Sequence, residues 1–121
     1  MDTATALALT RIALGGAAWV APGLTLKGML LDTTAPQAPF LVRLFGARDV
    51  ALGVVTLLVG PESRPALLKV GVAVDGSDAV SAVLALRAGA LRPLPVALIA
   101  MSAGSAVVSG VIALRQTSRP G

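Results

Sequence analysis

Asp75 and Asp78 stand three residues apart inside an apolar run long enough to cross a membrane. The dipeptide Arg48-Asp49 interrupts a second such run, and Arg11 a third. Charged side chains are costly in hydrocarbon, so in such segments they face one another or a polar cavity. Two kinds of chemistry are open to this set. As Arg–Asp pairs the residues would neutralise each other across helices and fix register, with no ligand involved. As an unbalanced set, two arginines against three aspartates leave one carboxylate without a cation. In a low-dielectric site such a group can hold a proton and serve as a general acid or base, or couple proton movement. Asp75, Asp78 and Asp49 are the candidates for that catalytic role. A charged substrate or lipid headgroup completing the network is the third possibility.

The absences are as informative. The chain has no Cys and no His. Disulfides, thiolate nucleophiles and cysteine-based redox chemistry of the vitamin-K-reductase kind are therefore excluded. Only carboxylates remain as strong metal ligands, so no zinc, haem or copper site and no cofactor is expected. The net charge of +4 comes from a few Arg and Lys residues, several near the ends of apolar segments. There is no basic run, and aromatic residues make up 2% of the chain. Nucleic-acid binding is not expected.

The elements that carry these charges follow from the apolar pattern. Of 121 residues, 55% are hydrophobic and 13% charged, too much apolar surface for so small a soluble core to hide. The pattern predicts an all-α integral membrane protein, a four-helix up-down-up-down bundle forming one transmembrane domain over residues 1–121, with spans at about 3–21, 41–59, 66–86 and 94–114. The first span carries Arg11, follows Asp2 and has no basic start, unlike a cleaved signal peptide. Trp19 stands near its far end, suited to the membrane interface.

Residues 22–40 form an interfacial connection. Leu24, Leu26, Met29, Leu30 and Leu31 make an apolar patch too short to span, either a lid or a plain amphipathic connector. Gly60-Pro61 ends the second span, Glu62–Pro65 form a polar hairpin, and Gly89, Pro93 and Pro95 mark the last turn. The tail from Arg115 to Gly121 is expected to fray. Ser102, Ala106 and Gly110 recur at four-residue steps, as do Ser105 and Ser109. With Gly53, Gly60 and Gly71 they are expected contact points between helices or copies.

Helical rise places the charges in depth. Arg48 and Asp49 lie roughly 10–12 Å from the side opposite the termini, and Asp78 about 13 Å. Arg11 and Asp75 both fall near the midplane. Arg48 is therefore expected opposite Asp78, and Arg11 opposite Asp75. Consecutive residues on a helix point about 100° apart, so Asp49 must aim elsewhere than Arg48, and no cation is assigned to it. Lys27, Arg43, Arg87 and Arg92 lie near one membrane face and are candidate lipid-headgroup contacts. The other side has Arg64, Lys69, Arg115 and Arg119, so the positive-inside rule leaves orientation open.

The block R-L-F-G-A-R-D-V-A-L-G at 43–53, followed about 26 residues on by D-G-S-D-A at 75–79, resembles a family of small bacterial and fungal membrane proteins. That family is the domain of unknown function 4267, more loosely similar to DoxX-like proteins. The resemblance covers most of the chain. It implies a four-helix membrane fold, marks Arg43, Gly46, Arg48, Asp49, Asp75 and Asp78, and implies no activity. The size also invites comparison with small multidrug transporters. Those carry an essential Glu in the first helix, where this chain has Arg11, and it lacks their aromatic site residues.

The expectation is a multi-pass cell-membrane protein, bacterial by its Arg- and Ala-rich composition. Its buried Arg/Asp network would serve a binding or accessory role toward a lipid-like molecule or a larger membrane complex. Membrane lipid is the expected partner, with a homo-oligomer or larger complex also open. The alternatives are a membrane enzyme using Asp75 or Asp78 for acid–base chemistry on a hydrophobic substrate, and a proton-coupled small transporter.

Overall fold

The computed structural model describes residues 2–32 and 34–117. Among them the chain is all-α, with five helices and no strand: α1 (Thr3–Val20), α2 (Pro22–Gly28), α3 (Ala38–Leu58), α4 (Arg64–Arg87) and α5 (Pro93–Thr117). The end of the expected frayed tail, with Arg119, lies outside the described residues.

Local chemistry accounts for the boundaries. Asp2 caps α1, its carboxylate accepting a hydrogen bond from the Thr5 amide at 2.8 Å. Such a cap satisfies one of the first-turn amides that have no intrahelical acceptor. Proline stands in the first turn of α2, α3 and α4, and Pro93 and Pro95 open α5. The three later long helices therefore begin one to three residues before the expected 41, 66 and 94. Proline reads as a turn marker, but in a first turn it gives up only an amide that would have no acceptor.

Two helix ends share one geometry. At the end of α4, Gly89 adopts φ 74°, and the Ala90 amide reaches back to the Ala85 carbonyl. At the end of α2, Leu30 takes the same left-handed turn with φ 57°, and the Leu31 amide bonds the Leu26 carbonyl. Both are Schellman closures, the second built on a residue with a Cβ. The 22–40 connection is thus partly a short helix. Leu26 is buried and seats α2, while Leu24 is exposed.

The long helices associate as two pairs. α1 packs along α3, and α4 along α5; α1 and α5 make the main contact between the pairs, while α3 and α4 meet over few residues. Small residues permit the close approach within pairs. A Cβ on Gly15 would stand 2.5 Å from the Gly46 carbonyl oxygen and 2.9 Å from the Asp49 Cβ, and one on Gly53 would stand 2.6 Å from the Ala8 carbonyl oxygen. These contacts run α1 and α3 antiparallel. In the second pair, Gly110 faces Val72.

Gly53, Gly71 and Gly110 make contacts where they were expected, whereas Gly60 faces open space and Ser102 and Ser105 lie on the outer surface. Ala4, Leu68 and Ala113 form a small core joining α1, α4 and α5.

Large apolar side chains are turned outward on every long helix, among them Leu14, Leu44, Leu58, Val80, Leu84, Leu94, Met101 and Val108. Two helices, α1 and α5, are long and apolar enough to cross a membrane. α3 and α4 carry the additional charges.

Candidate functional site

The site is a set of five charged side chains between the two helix pairs. Arg11 projects from the middle of α1 toward α4, where its two terminal nitrogens donate to the two carboxylate oxygens of Asp75, at 3.1 and 2.5 Å. Room for the guanidinium comes from Gly71, one turn before Asp75. A Cβ there would lie 2.9 Å from Arg11 Nη2. On its other side Arg11 Nη1 stands 3.5 Å from the Asp49 carboxylate of α3. That is an ionic contact but too long for a strong hydrogen bond. All three side chains are at least nine-tenths buried.

The second pair lies nearer the surface. Arg48 of α3 donates through both terminal nitrogens to Asp78 of α4, at 3.3 and 2.8 Å. Its guanidinium carbon lies 4.8 Å from the centroid of the Phe45 ring, one turn earlier on the same helix. Arg48 Nε is buried without an acceptor among the described residues. The side chains of Arg48 and Asp78 are 38% and 25% exposed, so this pair stands at the edge of the bundle while the Arg11 group is sealed behind it.

Depth counting from sequence pairs the same residues that meet here, Arg11 with Asp75 and Arg48 with Asp78. It left Asp49 without a cation. The structure supplies Arg11, and Gly15 explains how: it lets α3 approach α1 closely enough that Asp49 sits beside it. Arg48 and Asp49 point to different helices, as adjacent helical positions must. The formal balance of the five groups is one negative charge, two arginines against three aspartates.

Below Arg11, toward the termini, lies a cavity of about 10 Å³ lined by residues including Leu52, Thr56, Leu68 and Gly71. It has room for about one water. Thr56 is buried, and its hydroxyl donates to the Leu52 carbonyl at 2.7 Å. Sequence reasoning passed over Thr56, although 49, 53 and 56 share one helix face and a lone hydroxyl seven residues from a buried aspartate was a usable signal.

The candidate headgroup residues Lys27, Arg43, Arg87 and Arg92 are all exposed. Arg43 does more than reach outward: its Nε donates to the Trp19 carbonyl at 3.0 Å, and its guanidinium lies 5.6 Å from the indole centroid. It thereby fastens the start of α3 to the end of α1. Arg87 flanks a shallow apolar groove with Val80, Val83 and Leu84. Among the described residues no group of three or more His, Cys, Asp or Glu is arranged to hold a metal ion.

No family model, curated protein or solved structure matches the chain.

Proposed function

We propose that the chain is an integral membrane protein whose four long helices form an up-down-up-down transmembrane bundle, of the kind its sequence resemblance implies. In this reading it acts as a binding or accessory protein for a lipid-like molecule or a larger membrane complex. The observation that carries the reading is the direction of the apolar surface. In the most apolar stretch of α5 only 22% of residues are buried, and in α1 only 28%. A soluble core helix buries most of such a stretch; these present it outward, which suits a hydrocarbon surrounding. Arg48, Asp49, Asp75 and Asp78, in the interior turns of α3 and α4, meanwhile pair with one another or with Arg11, as intramembrane charges do.

The state of the charges supports an accessory role over acid–base chemistry. Asp75 and Asp78 are each held by an arginine through two hydrogen bonds, and the neighbouring cavity admits no substrate. The test is mass spectrometry of the protein extracted from native membrane with its neighbours retained. A specific lipid or protein partner supports the reading. Release from membranes by alkaline carbonate would sink the membrane assignment, and clean protein with nothing bound would sink the binding role.

A further inference from the structure

We propose that the seam between α3 and α4 is a lateral gate into the bundle, closed by the Arg48–Asp78 pair. Each helix pair is closely packed at glycine: Gly15 on Gly46 and Gly53 on Ala8 by direct backbone approach in one, Gly110 against the Val72 side chain in the other. Such contacts have no slack, so each pair moves as a unit. Between the pairs the contacts are of another kind. Ala4, Leu68 and Ala113 form an apolar junction near the terminal end, α1 meets α5, and the buried Arg11–Asp75 pair joins α1 to α4. On the opposite flank α3 and α4 scarcely touch, and among the described residues their one direct ion pair is Arg48–Asp78.

An apolar junction at one end and a charge contact at the open edge make a hinge and a latch. Hinge motions of packed helices take this form, with rigid units turning about a conserved contact. The latch itself fits the role. Arg48 and Asp78 are part-exposed, where the Arg11 group is not, so they can exchange partners without first being uncovered. Phe45 holds the Arg48 guanidinium from its own helix, so Arg48 stays on α3 when Asp78 leaves. Behind the latch lie Arg11, Asp49 and Asp75, the polar centre of the protein. Opening the seam exposes that centre to the bilayer. What passes through is a membrane amphiphile, a point that rests on the function proposed above; the opening itself is a property of the protein alone.

The absence of native cysteine allows a clean test by paired spin labels. Leu41 of α3 and Leu84 of α4 are exposed, and helical rise puts each roughly 9–11 Å beyond the latch residue of its own helix. Double-cysteine protein L41C/L84C is labelled in lipid nanodiscs and in detergent, with and without Asp78→Asn. Leu14 with Leu44, and Val80 with Met101, serve as controls within each pair. The expected result is a shift of the Leu41–Leu84 distance to longer, broader values in D78N, restored in D78E, with both control distances unchanged. Arg48→Gln reads the same latch from the other helix if D78N does not fold. An unchanged Leu41–Leu84 distance in either variant, or an equal change in the controls, overturns the gate. Failure of the unmutated protein to enter nanodiscs overturns the membrane reading instead, and the detergent measurement still decides the gate.

Discussion

Gly15 of α1 and Gly46 of α3 meet with no side chain between their backbones. Gly46 belongs to the R-L-F-G-A-R-D block, so the block does two jobs: its glycine brings α3 against α1, and its charges then reach α1 and α4. Gly46→Ala or Gly15→Ala is expected to destabilise the protein by about 1–3 kcal/mol, the usual range for overpacking. Gly16→Ala is the control, because a Cβ there meets nothing within 4 Å. It should be neutral or stabilise by up to about 1 kcal/mol through helix propensity. Thermal unfolding of detergent-solubilised protein separates the two cases, and equal effects would remove the close-packing argument.

Asp49 and Asp75 share one guanidinium unequally, and their substitution should be unequal too. Asp75→Asn removes the two-bond partner of Arg11 and is expected to cost about 3–5 kcal/mol, as breaking a buried pair does. Asp49→Asn leaves that partner in place and removes the surplus negative charge, so it should be neutral or stabilising. Denaturation midpoints of the two variants check this. A larger loss from D49N than from D75N would show that Asp49, not Asp75, is the principal partner.

Leu30 occupies a left-handed turn that Gly89 occupies at the end of α4. A side chain in that conformation costs roughly 1–2 kcal/mol relative to glycine. Leu30→Gly is expected to recover about 1 kcal/mol, less whatever packing the half-exposed leucine provides. Gly89→Ala should lose a similar amount. Both changes are read from unfolding midpoints at fixed detergent concentration.

Hydrogen bonding from Thr5 holds the Asp2 carboxylate below its ordinary range. For a carboxylate whose folded-state pKa is lowered, the stabilisation is present above the unfolded value, about 3.9, and is lost as pH falls through the folded value. Fraying at the start of α1 should therefore increase below about pH 4, seen as faster amide exchange at Thr5. Asp2→Asn, which can still cap, should show no such pH dependence.

The four long helices and the two ion pairs were legible because both follow from helical rise and apolar run length, which need no knowledge of neighbours; the short helix α2 was not. What was not legible is which helices touch. Short links suggest that consecutive helices pack equally, yet α3 and α4, joined by the short turn at 60–63, scarcely meet, while α1 and α5 do. The deciding contacts are glycines whose role depends on the facing helix. Gly15 and Gly16 are neighbours in sequence, but one is pressed against a carbonyl and the other faces open space. For the same reason Asp49 had no visible cation: its partner is set by the approach of α1, not by its own depth.

On the membrane reading proposed above, the pairing also bears on how the chain is made. Each pair joins one helix long and apolar enough to cross a membrane, α1 or α5, to one burdened with more charge, α3 or α4. A charged residue at mid-bilayer opposes insertion by roughly 2.5–3.5 kcal/mol. In the first pair the self-sufficient helix is synthesised first and can receive α3 as it emerges. In the second the order is reversed, so α4, with Asp75 and Asp78, must wait for α5 or be met by Arg11 and Arg48 already in place. A chain that ends before residue 93 would leave α4 to be seated by Arg11 and Arg48 alone.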